Sequence, residues 1–568
     1  MGYAGRAGAG TPNIDALAAR GSAYTSAVTP SPEAPAALGS LLTGQYPARN
    51  GLRTAETDRL GDAVVTLAET LKAQGYRTRA FTSSVLLHPK YGFGRGFDTY
   101  TSFFEDAPHP SDIPDAGFPA KRAADQALEY LETARNVPFF LWVNFFDPHA
   151  PYTPAEPFAT AYKDDLYQGE LAYVDQEVGR LLKKIKDYGL EPRTVVVFAG
   201  SCGEGLGDHG ETYHGITLSR STTQVPLVIA GPSLDAGTKV AAPASLVDVY
   251  PTILALLGLP KGASDGATLD GLSLLDAADM SRPLFMQTRM PARLFGWAPL
   301  TAVLSGPFKY ILGVRAEMYD TSADPGETHD IAASQPATRD RLAGLASDYA
   351  DRSARASTST QAGLAAARAL GYAIEPRARA PKDSRDMVAA GNDALKGHFQ
   401  LRRNSLQASW FLFQGVLASD PDNYIALLDT ALMTGAKRDL DGAAKLLHRV
   451  RDLYPERAEP YHQLGHLVWN RDKEKGPGQA RALWKVAAML DALNEEAQYD
   501  AACALAAEGK PGESLDQLEK AIAAGFHNYA FMATDPDLDS VRTDPRFESI
   551  TGGKAKKPPA PSGPPPAK

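Results

Sequence analysis

The sequence predicts an α/β domain with a mainly parallel sheet sandwiched by helices and a small antiparallel sheet at its C-terminal end, followed by an all-α repeat domain. Three observations predict this architecture. Short apolar runs alternate with amphipathic stretches over much of the N-terminal half, which is typical of buried parallel strands and their crossover helices. Short strand patterns joined by a tight turn come next. From about residue 386 onward only helical periodicity remains. The two domains are therefore placed at 1–355 and 386–549.

The predicted parallel strands are apolar runs that end at polar or glycine-rich residues. Between two of them, Leu171, Val174 and Val178 fall on one face at helical spacing. Residues 169–188 therefore predict a crossover helix that joins two parallel strands in the right-handed sense. The predicted strands are 76–82, 138–146, 194–199 and 225–230, with further helices over 64–74 and 246–257.

The small antiparallel sheet is predicted from three short β-type runs that follow Pro283. Gly306-Pro307 separates the second run from the third and is a tight-turn pair. The three predicted strands are 284–288, 300–305 and 308–312.

The C-terminal part repeats with a period typical of tetratricopeptide helix pairs. Pro421 and Pro455 lie 34 residues apart, and each follows an amphipathic helix. Residues 356–385, rich in Ala, Ser, Thr, Arg and Pro, are interpreted as a linker. The Pro- and Lys-rich residues 550–568 are interpreted as a disordered tail. The predicted helix pairs are 423–435 with 439–453, 458–470 with 478–490, and 495–507 with 512–524.

Composition excludes some classes of protein. The 568 residues are too many for one compact core, so two or three domains are expected. A net charge of −9 argues against a polyanion-binding surface over the whole chain, and we find no nucleic-acid motif. No membrane span is expected, because no apolar run is long enough. The sequence as written shows no signal peptide and predicts a cytoplasmic protein, whereas a start further upstream would leave a periplasmic or membrane-anchored location open. Cys202 and Cys503 lie in different predicted domains, so no disulfide is expected.

Several stretches of about the first 330 residues resemble the sulfatase branch of the alkaline phosphatase superfamily, and they occur in that family's order. The resemblance implies a sulfatase-like fold, hydrolysis of sulfuric esters, and calcium or magnesium as the cofactor. The segment TDPDLDSVRTDPRF near the C-terminus is also similar to terminal segments of bacterial tetratricopeptide proteins. The sulfatase-like stretches are 11–21 (TPNIDALAARG), 40–47 (SLLTGQYP), 94–100 (GRGFDTY), 147–152 (DPHAPY), 203–215 (GEGLGDHGETYHG), 270–274 (DGLSL) and 312–327, which ends MYDTSADPGE.

The resemblance places Ala34 at the nucleophile position. The family's motif has Cys, Ser or Thr six residues before the position of Ser40, and this chain has alanine there. The Arg or His of that motif falls on Leu38. Ser31 and Thr29 lie nearby as alternative nucleophiles, although the family's nucleophile belongs at a fixed helix N-terminus.

The metal-ligand positions implied by the resemblance are also altered. The family's Asp and its His or Asn at the end of a later strand fall on Ser201 and Cys202. The acidic pair that ends the family's first strand would precede Met1, so the first strand is predicted to be missing. His149 and His214 occupy positions where the family contacts sulfate, and the alternative is that they are loop histidines kept for hydrogen bonding.

Two further readings remain open at this stage. Five potential ligand residues lie within 13 residues of one another, between positions 202 and 214. They allow a new zinc site as one alternative, although the segment is already explained as a loop of the resembled family. Aromatic residues of the repeat domain either line a groove for a protein or peptide or, as we favour, form the core of stacked helices. The cluster comprises Cys202, Glu204, Asp208, His209 and His214, and the aromatic residues are Tyr424, Tyr461, Trp469, Trp484 and Tyr499.

Together these patterns predict a sulfatase-family protein that is non-catalytic and acts as a binding or scaffold protein through its helical repeats. No cofactor is expected in that case, and the partner is a protein or peptide. The alternative is an active metal-dependent hydrolase of sulfate or phosphate esters that uses a non-standard nucleophile, with calcium or magnesium retained. A third possibility is a mis-started or degraded gene.

Overall fold

The computed structural model describes residues 1–6, 8–54, 58–103, 117–260, 268–276, 279–353, 358–369, 380–471 and 476–555. These residues form two compact units. Among them, the first unit comprises 1–103, 117–353 and 380–426, and the second comprises 358–369 and 427–555. No helix of the described residues is long and apolar enough to cross a membrane.

All strands of the described residues lie in the first unit. They are β1 Ser22–Tyr24, β2 Ala27–Val28, β3 Arg77–Thr82, β4 Thr99–Thr101, β5 Phe139–Asn144, β6 Val196–Ala199, β7 Leu227–Ala230, β8 Thr238–Val240, β9 Ala244–Ser245, β10 Leu284–Thr288, β11 Leu300–Ser305, β12 Phe308–Leu312 and β13 Glu317–Asp320.

The α-helices of the described residues run through both units. They are α1 Pro12–Ala18, α2 Ala34–Thr43, α3 Pro47–Asn50, α4 Leu67–Ala73, α5 Ala120–Ala134, α6 Phe158–Ala161, α7 Leu166–Asp187, α8 Arg220–Thr223, α9 Val249–Leu256, α10 Pro336–Ser353, α11 Thr358–Ala369, α12 Val388–Arg402, α13 Leu406–Ser419, α14 Tyr424–Ala436, α15 Leu440–Leu453, α16 Glu459–Arg471, α17 Gly476–Leu490, α18 Glu495–Ala507, α19 Pro511–Ala523, α20 Tyr529–Thr534 and α21 Pro545–Ile550.

The predicted α/β architecture is confirmed, with one correction to strand direction. One sheet has the order β4-β3-β5 and is parallel throughout. The other has the order β6-β7-β1-β8. The prediction that residues 225–230 form a parallel strand is wrong, because β7 runs antiparallel to both β6 and β1. The connection from β6 to β7 contains one short 3-10 turn at residues 208–210 and the short helix α8. It has no full-length crossover helix, and the chain returns in the opposite direction.

An apolar slot separates the two sheets. One cavity of about 1110 Å³ is lined by all of β5 and β6, by α7 on one side and by α2 and α9 on the other. The outer edges of β5 and β6 have no backbone partner among the described residues. We call this cavity the inter-sheet slot. The sequence-based prediction of a missing first strand stays a prediction.

The small antiparallel sheet matches its prediction closely. It has the order β10-β11-β12-β13, and the first three strands begin and end where the sequence predicted. Gly306 has a φ of +61° in the turn between β11 and β12, a conformation that glycine adopts at no steric cost. The fourth strand, β13, was not predicted.

The boundary of the helical part differs from the predicted one. Residues 380–426 belong to the first unit instead of to the repeats. The reason is a set of polar contacts: the indole of Trp297 donates to Asp420 Oδ2 at 2.7 Å, and the backbone N–H of Arg315 donates to Asp383 Oδ2 at 3.0 Å. The segment predicted as a linker over 356–385 contains α11, while residues 370–379 lie outside the described residues.

The second unit consists of paired helices, as predicted. α14 with α15, α16 with α17 and α18 with α19 occupy the three predicted pairs within one or two residues. The interpretation of the aromatic residues as core is confirmed for Tyr461, Trp484 and Tyr499 of this unit, which are each less than one tenth exposed. Tyr424, at the start of α14, is buried as well but belongs to the first unit. Trp469 is half-buried against Trp484, with ring centroids 5.4 Å apart. The tetratricopeptide identity stays a prediction, and residues 556–568 of the predicted tail lie outside the described residues.

Hydrogen exchange should alternate along the strands that border the slot. The bonds from Arg77 N–H to Pro138 O and from Gly200 N–H to Pro226 O fix the two ladders. In these registers every second amide of β5 and β6 points towards the slot and has no acceptor among the described residues, whereas the amides between them are paired. The unpaired amides are those of Leu141, Val143, Val197 and Ala199, and the paired ones are those of Phe140, Trp142, Val196 and Phe198. We expect at least about tenfold faster exchange at the first set, measured by NMR or mass spectrometry. Equal protection of the two sets would contradict the open edges.

Candidate active site

Ala34 is the first residue of α2 and lines the inter-sheet slot. The residue before it, Glu33, fixes the position of this helix terminus. Its Oε1 accepts the backbone N–H groups of Arg289 and Met290, both at 3.0 Å. Burial raises the pKa of Glu33, and the nearby Arg293 opposes this shift. The predicted nucleophile position is therefore held rigidly at a helix N-terminus, but its side chain is a methyl group.

The two hydroxyl groups considered as substitutes do not line the slot among the described residues. Thr29 Oγ1 lies 2.6 Å from Ser201 O and 2.8 Å from Ser31 O. Ser31 Oγ accepts the backbone N–H of Glu33 at 3.1 Å, and both side chains are buried. Their hydroxyl groups therefore serve internal hydrogen bonds that shape the turn before α2. Leu38, at the motif's Arg or His position, is a buried apolar residue that lines the slot.

Ser201 and Cys202 follow β6 after one intervening residue, Gly200, and line the slot. The Ser201 hydroxyl donates to Cys202 Sγ at 3.8 Å. Burial raises the pKa of the Cys202 thiol, and the nearby His214 opposes the shift. Cys202 and Cys503 are both free, as expected. These positions offer one hydroxyl and one protonated thiol at neutral pH.

His214 is the charged centre of the site. Its Nδ1 lies 3.1 Å from Glu204 Oε2, and both side chains are largely buried. Burial lowers the pKa of His214, whereas the negative charges of an ionised Cys202 and of Glu204 raise it to about 10. Because the Cys202 thiol stays protonated at neutral pH, the Glu204 carboxylate is the group that favours the charged imidazole there. Glu211 supports the same loop, because its carboxylate accepts the backbone N–H groups of Ile216 and Thr217 at 2.7 and 3.0 Å. His214 is therefore an imidazolium cation that faces the slot at neutral pH.

His149 lies beside His214, as the resemblance implies. The two rings meet edge to face, with centroids 5.8 Å apart, and His149 also stacks on Phe146 at 4.3 Å. Its Nδ1 lies 2.7 Å from Ala150 O, which can only accept, so this nitrogen carries a proton. The backbone N–H of His149 donates to Glu170 Oε2 at 2.8 Å, which ties the loop after β5 to α7.

The zinc alternative for the 202–214 cluster is not supported by the geometry. His209 Nε2 lies 3.0 Å from the carbonyl oxygen of Gly326, and His209 does not line the slot among the described residues. Within the part of the chain that the structure describes, no three of these five residues bring ligand atoms within 4.8 Å of one another.

The donors at the family's metal positions do not fit calcium or magnesium. These ions take six or more hard oxygen ligands, mainly from carboxylates. Ser201 and Cys202 offer a neutral hydroxyl and a thiol, and the nearby Glu204 is already paired with His214. These two positions are therefore unsuited to holding such an ion.

Helix α12 positions the loop that carries His214. The sequence analysis did not predict this support. Asn392 Oδ1 accepts the backbone N–H of Thr212 at 3.0 Å, and its Nδ2 donates to Gly210 O at 2.7 Å. Phe399 packs edge to face on Tyr213, with centroids 5.4 Å apart. Glu33 and Glu204 were also not singled out as supports. Glu33 directly precedes Ala34 and Glu204 lies two residues after Cys202, so their sequence positions could have indicated a role in the site. Nothing in the local sequence indicated a role for Asn392.

Comparison with known proteins agrees with the resemblance seen in the sequence. Residues 1–259 match the family model described as Sulfatase. The chain is 25% identical over 379 residues to the ulvan-active sulfatase of Formosa agariphila, covering 58% of this chain and 74% of that protein. It is 23% identical over 403 residues to the choline-sulfatase of Rhizobium meliloti, covering 56% and 77%. The solved phosphonate monoester hydrolase of Agrobacterium radiobacter has a TM-score of 0.52 at 20% identity, over 62% of this chain and 93% of that chain, which shows the fold alone.

The stability of the first unit should depend on pH through Asp147. Its Oδ2 accepts the backbone N–H of Ala120 at 2.6 Å, and burial raises the pKa of Asp147 from 3.8 to about 6, although this N–H opposes the shift. The folded state therefore binds this proton more tightly than the unfolded state does. The stabilisation is fully present below pH 3.8 and is lost as the pH rises through 6.

We expect Asp147→Asn to be insensitive to this titration. The quantity to follow is the difference in the free energy of unfolding between the wild type and the variant. As the pH rises from 4 to 7, this difference should fall by about 2 kcal/mol. Denaturant titration at several pH values measures it. Asp235→Asn, at an exposed loop carboxylate, is the control for the substitution itself. A constant difference for Asp147→Asn would rule out its buried titration.

Proposed function

We propose that this chain, whose residues 1–259 match the Sulfatase family model, is a non-catalytic member of that family that acts as a binding protein. One observation carries the proposal. The side chain at the start of α2 that faces the slot is the methyl group of Ala34. Covalent ester hydrolysis needs an oxygen or sulfur nucleophile that is held and activated at that place, and a methyl group has no such atom.

The surrounding donors support the same proposal. Attack on a charged ester requires a cation that neutralises the charge of the transferring group. The hydroxyl of Ser201 and the thiol of Cys202 are poor ligands for the hard divalent ions that serve this purpose. The loss of the nucleophile and the loss of the metal donors therefore affect two separate requirements of the reaction, and a repair of one would not restore turnover.

The remaining groups favour the binding of an anion. His214 and Arg293 both line the inter-sheet slot. The Glu204 carboxylate, which lies 3.1 Å from His214 Nδ1, opposes the effect of burial on the pKa of His214 and favours its charged form. A charge-assisted hydrogen bond from such a group is about twice as strong as a neutral one. We therefore propose that the slot holds a sulfate or phosphate monoester without cleaving it.

We further propose that the helical second unit supplies the surface for a protein or peptide partner. Met489 and Phe531 of this unit are large apolar side chains that are more than two-fifths exposed. Paired helices present extended faces that suit such ligands. The two roles together describe a binding or scaffold protein.

A second candidate function rests on Cys202. The thiol of Cys202 lies near the imidazole of His214, whose Nδ1 is held by the carboxylate of Glu204. In a cysteine hydrolase these three groups would serve as nucleophile, base and orienting group. Against it, burial raises the pKa of Cys202, and a protonated thiol is a weak nucleophile. In this case the chain would hydrolyse esters through a cysteine.

The purified chain should not turn over chromogenic esters. We expect no release of 4-nitrophenol from 4-nitrophenyl sulfate, phosphate or phenylphosphonate above the background rate, with calcium, magnesium, manganese or zinc added. Turnover that is lost in both His149→Ala and His214→Ala would overturn the proposal. Turnover that is lost in Cys202→Ser and by thiol alkylation would establish the second candidate.

Binding without turnover is measured by calorimetry with 4-nitrophenyl sulfate. We expect His214→Gln to weaken binding at least about tenfold, because a charged hydrogen bond is lost. His209→Gln is the matched control, since it removes a histidine from the same loop that does not line the slot among the described residues. Equal affinity in both variants would exclude the slot as the anion site.

A further inference from the structure

Two histidines of the second unit lie one helical turn apart and face the same acidic side chain. His462 and His466 occupy positions i and i+4 of α16, so their side chains share one face of that helix. Asp500 reaches them from α18. The distances are 2.8 Å from His462 Nε2 to Asp500 Oδ2, 3.0 Å from His466 Nε2 to the same oxygen, and 3.1 Å between the two nitrogens. The three atoms form a nearly equilateral triangle.

Protons alone cannot satisfy this triangle. The Asp500 carboxylate only accepts, so each Nε2 in contact with it must carry a proton. That oxygen can accept both N–H groups, but the two nitrogens, which lie 3.1 Å apart, then both carry protons and cannot hydrogen-bond to each other. If either nitrogen loses its proton, its lone pair faces the carboxylate. With Asp500 ionised, at least one of the three contacts is therefore not a hydrogen bond in any protonation state of the two histidines.

A metal ion satisfies all three atoms at once, because each offers it a lone pair. A tetrahedral zinc ion with bonds of about 2.0–2.1 Å separates its ligand atoms by about 3.3 Å. The observed separations of 2.8 to 3.1 Å need only a small expansion to reach that value. Two imidazoles with one carboxylate suit zinc and its transition-metal neighbours better than calcium or magnesium.

The surroundings leave one coordination position accessible. His462 is buried, with 3% of its side chain exposed, whereas 45% of the His466 side chain is exposed. The ring of Trp484 packs against His466, with centroids 5.3 Å apart, and limits its movement. An ion at the centre of the triangle would have protein ligands on its inner side and solvent on its outer side. Within the described residues, this is the one group of three or more such ligand atoms that lies this close together.

We propose that His462, His466 and Asp500 bind one zinc ion, with water as the fourth ligand. The ion would join α16 to α18, which belong to different helix pairs, and would thereby fasten the second pair to the third. This site lies entirely in the second unit and does not rest on the proposed function of the first.

The test uses the full chain, stripped of metal with a chelator and then titrated with zinc in competition with a chromogenic chelator. We expect one zinc ion per chain and a rise in the thermal transition of the second unit. Cobalt substitution should give the intense visible absorption of a tetrahedral ion. His466→Ala and Asp500→Asn should each weaken zinc binding at least a hundredfold and remove the cobalt band.

His448→Ala is the matched control, because it removes an exposed histidine of α15 in the same unit that is not one of the three ligands. It should bind zinc as the wild type does. Both ligand variants retain most of their packing, since His466 is half exposed and Asn matches the shape of Asp, and circular dichroism checks their folding. Equal zinc affinity in all four proteins, or no zinc binding by the wild type, would overturn the proposal.

Discussion

The candidate site depends on two strand edges that border one cavity and are anchored on opposite sides. β5 is fixed through its ladder with β3, and β6 through its ladder with β7. The loops that leave their ends carry His149 in one case and Cys202 in the other. Helix α7, which connects the two strands, lines one side of the cavity, while α2 and α9 line the other. The relative position of the site residues is therefore set by helix packing across the slot, and not by a continuous ladder of hydrogen bonds.

Packing from beyond the α/β core completes this arrangement. Asn392 binds both a carbonyl oxygen and an amide of the loop that precedes His214. On the far side of the same region, Lys309 and Glu327 form an ion pair that is almost fully buried, with Nζ 2.9 and 3.0 Å from the two carboxylate oxygens. The backbone N–H of Arg220 donates to the same carboxylate at 3.0 Å. Removal of one partner from such a pair leaves an uncompensated buried charge, so this contact commits the loop between β6 and β7 to one conformation.

The sequence predicted those features that arise from local pattern, and it missed those that arise from distant pairing. Apolar runs located β5 and β6 within two residues, and β10, β11 and β12 at their observed bounds. The direction of β7 was missed because an apolar run looks the same in either sense. The placement of α12 and α13 was missed because helical periodicity does not tell which domain a helix packs against, and Trp297 with Asp420 decided that. In the candidate site, motif spacing singled out Ala34, Ser201 and Cys202, which all line the slot. The support from Glu33 became visible only through its bonds to residues 289 and 290.

Residues with a structural role and residues with only a chemical role behave differently in this site. Glu33 satisfies two backbone N–H groups, and Asp175 satisfies those of Asn13 and Ile14 at the start of α1. Replacement of either would leave buried donors unpaired, at a cost of about 1–3 kcal/mol each. The methyl group of Ala34 and the thiol of Cys202 make no comparable contribution, so an attacking atom or a metal ligand can be absent from these positions without loss of the fold. The shape of the cavity is therefore independent of these two side chains, and under the function proposed above this separation is the physical reason why binding can persist without turnover.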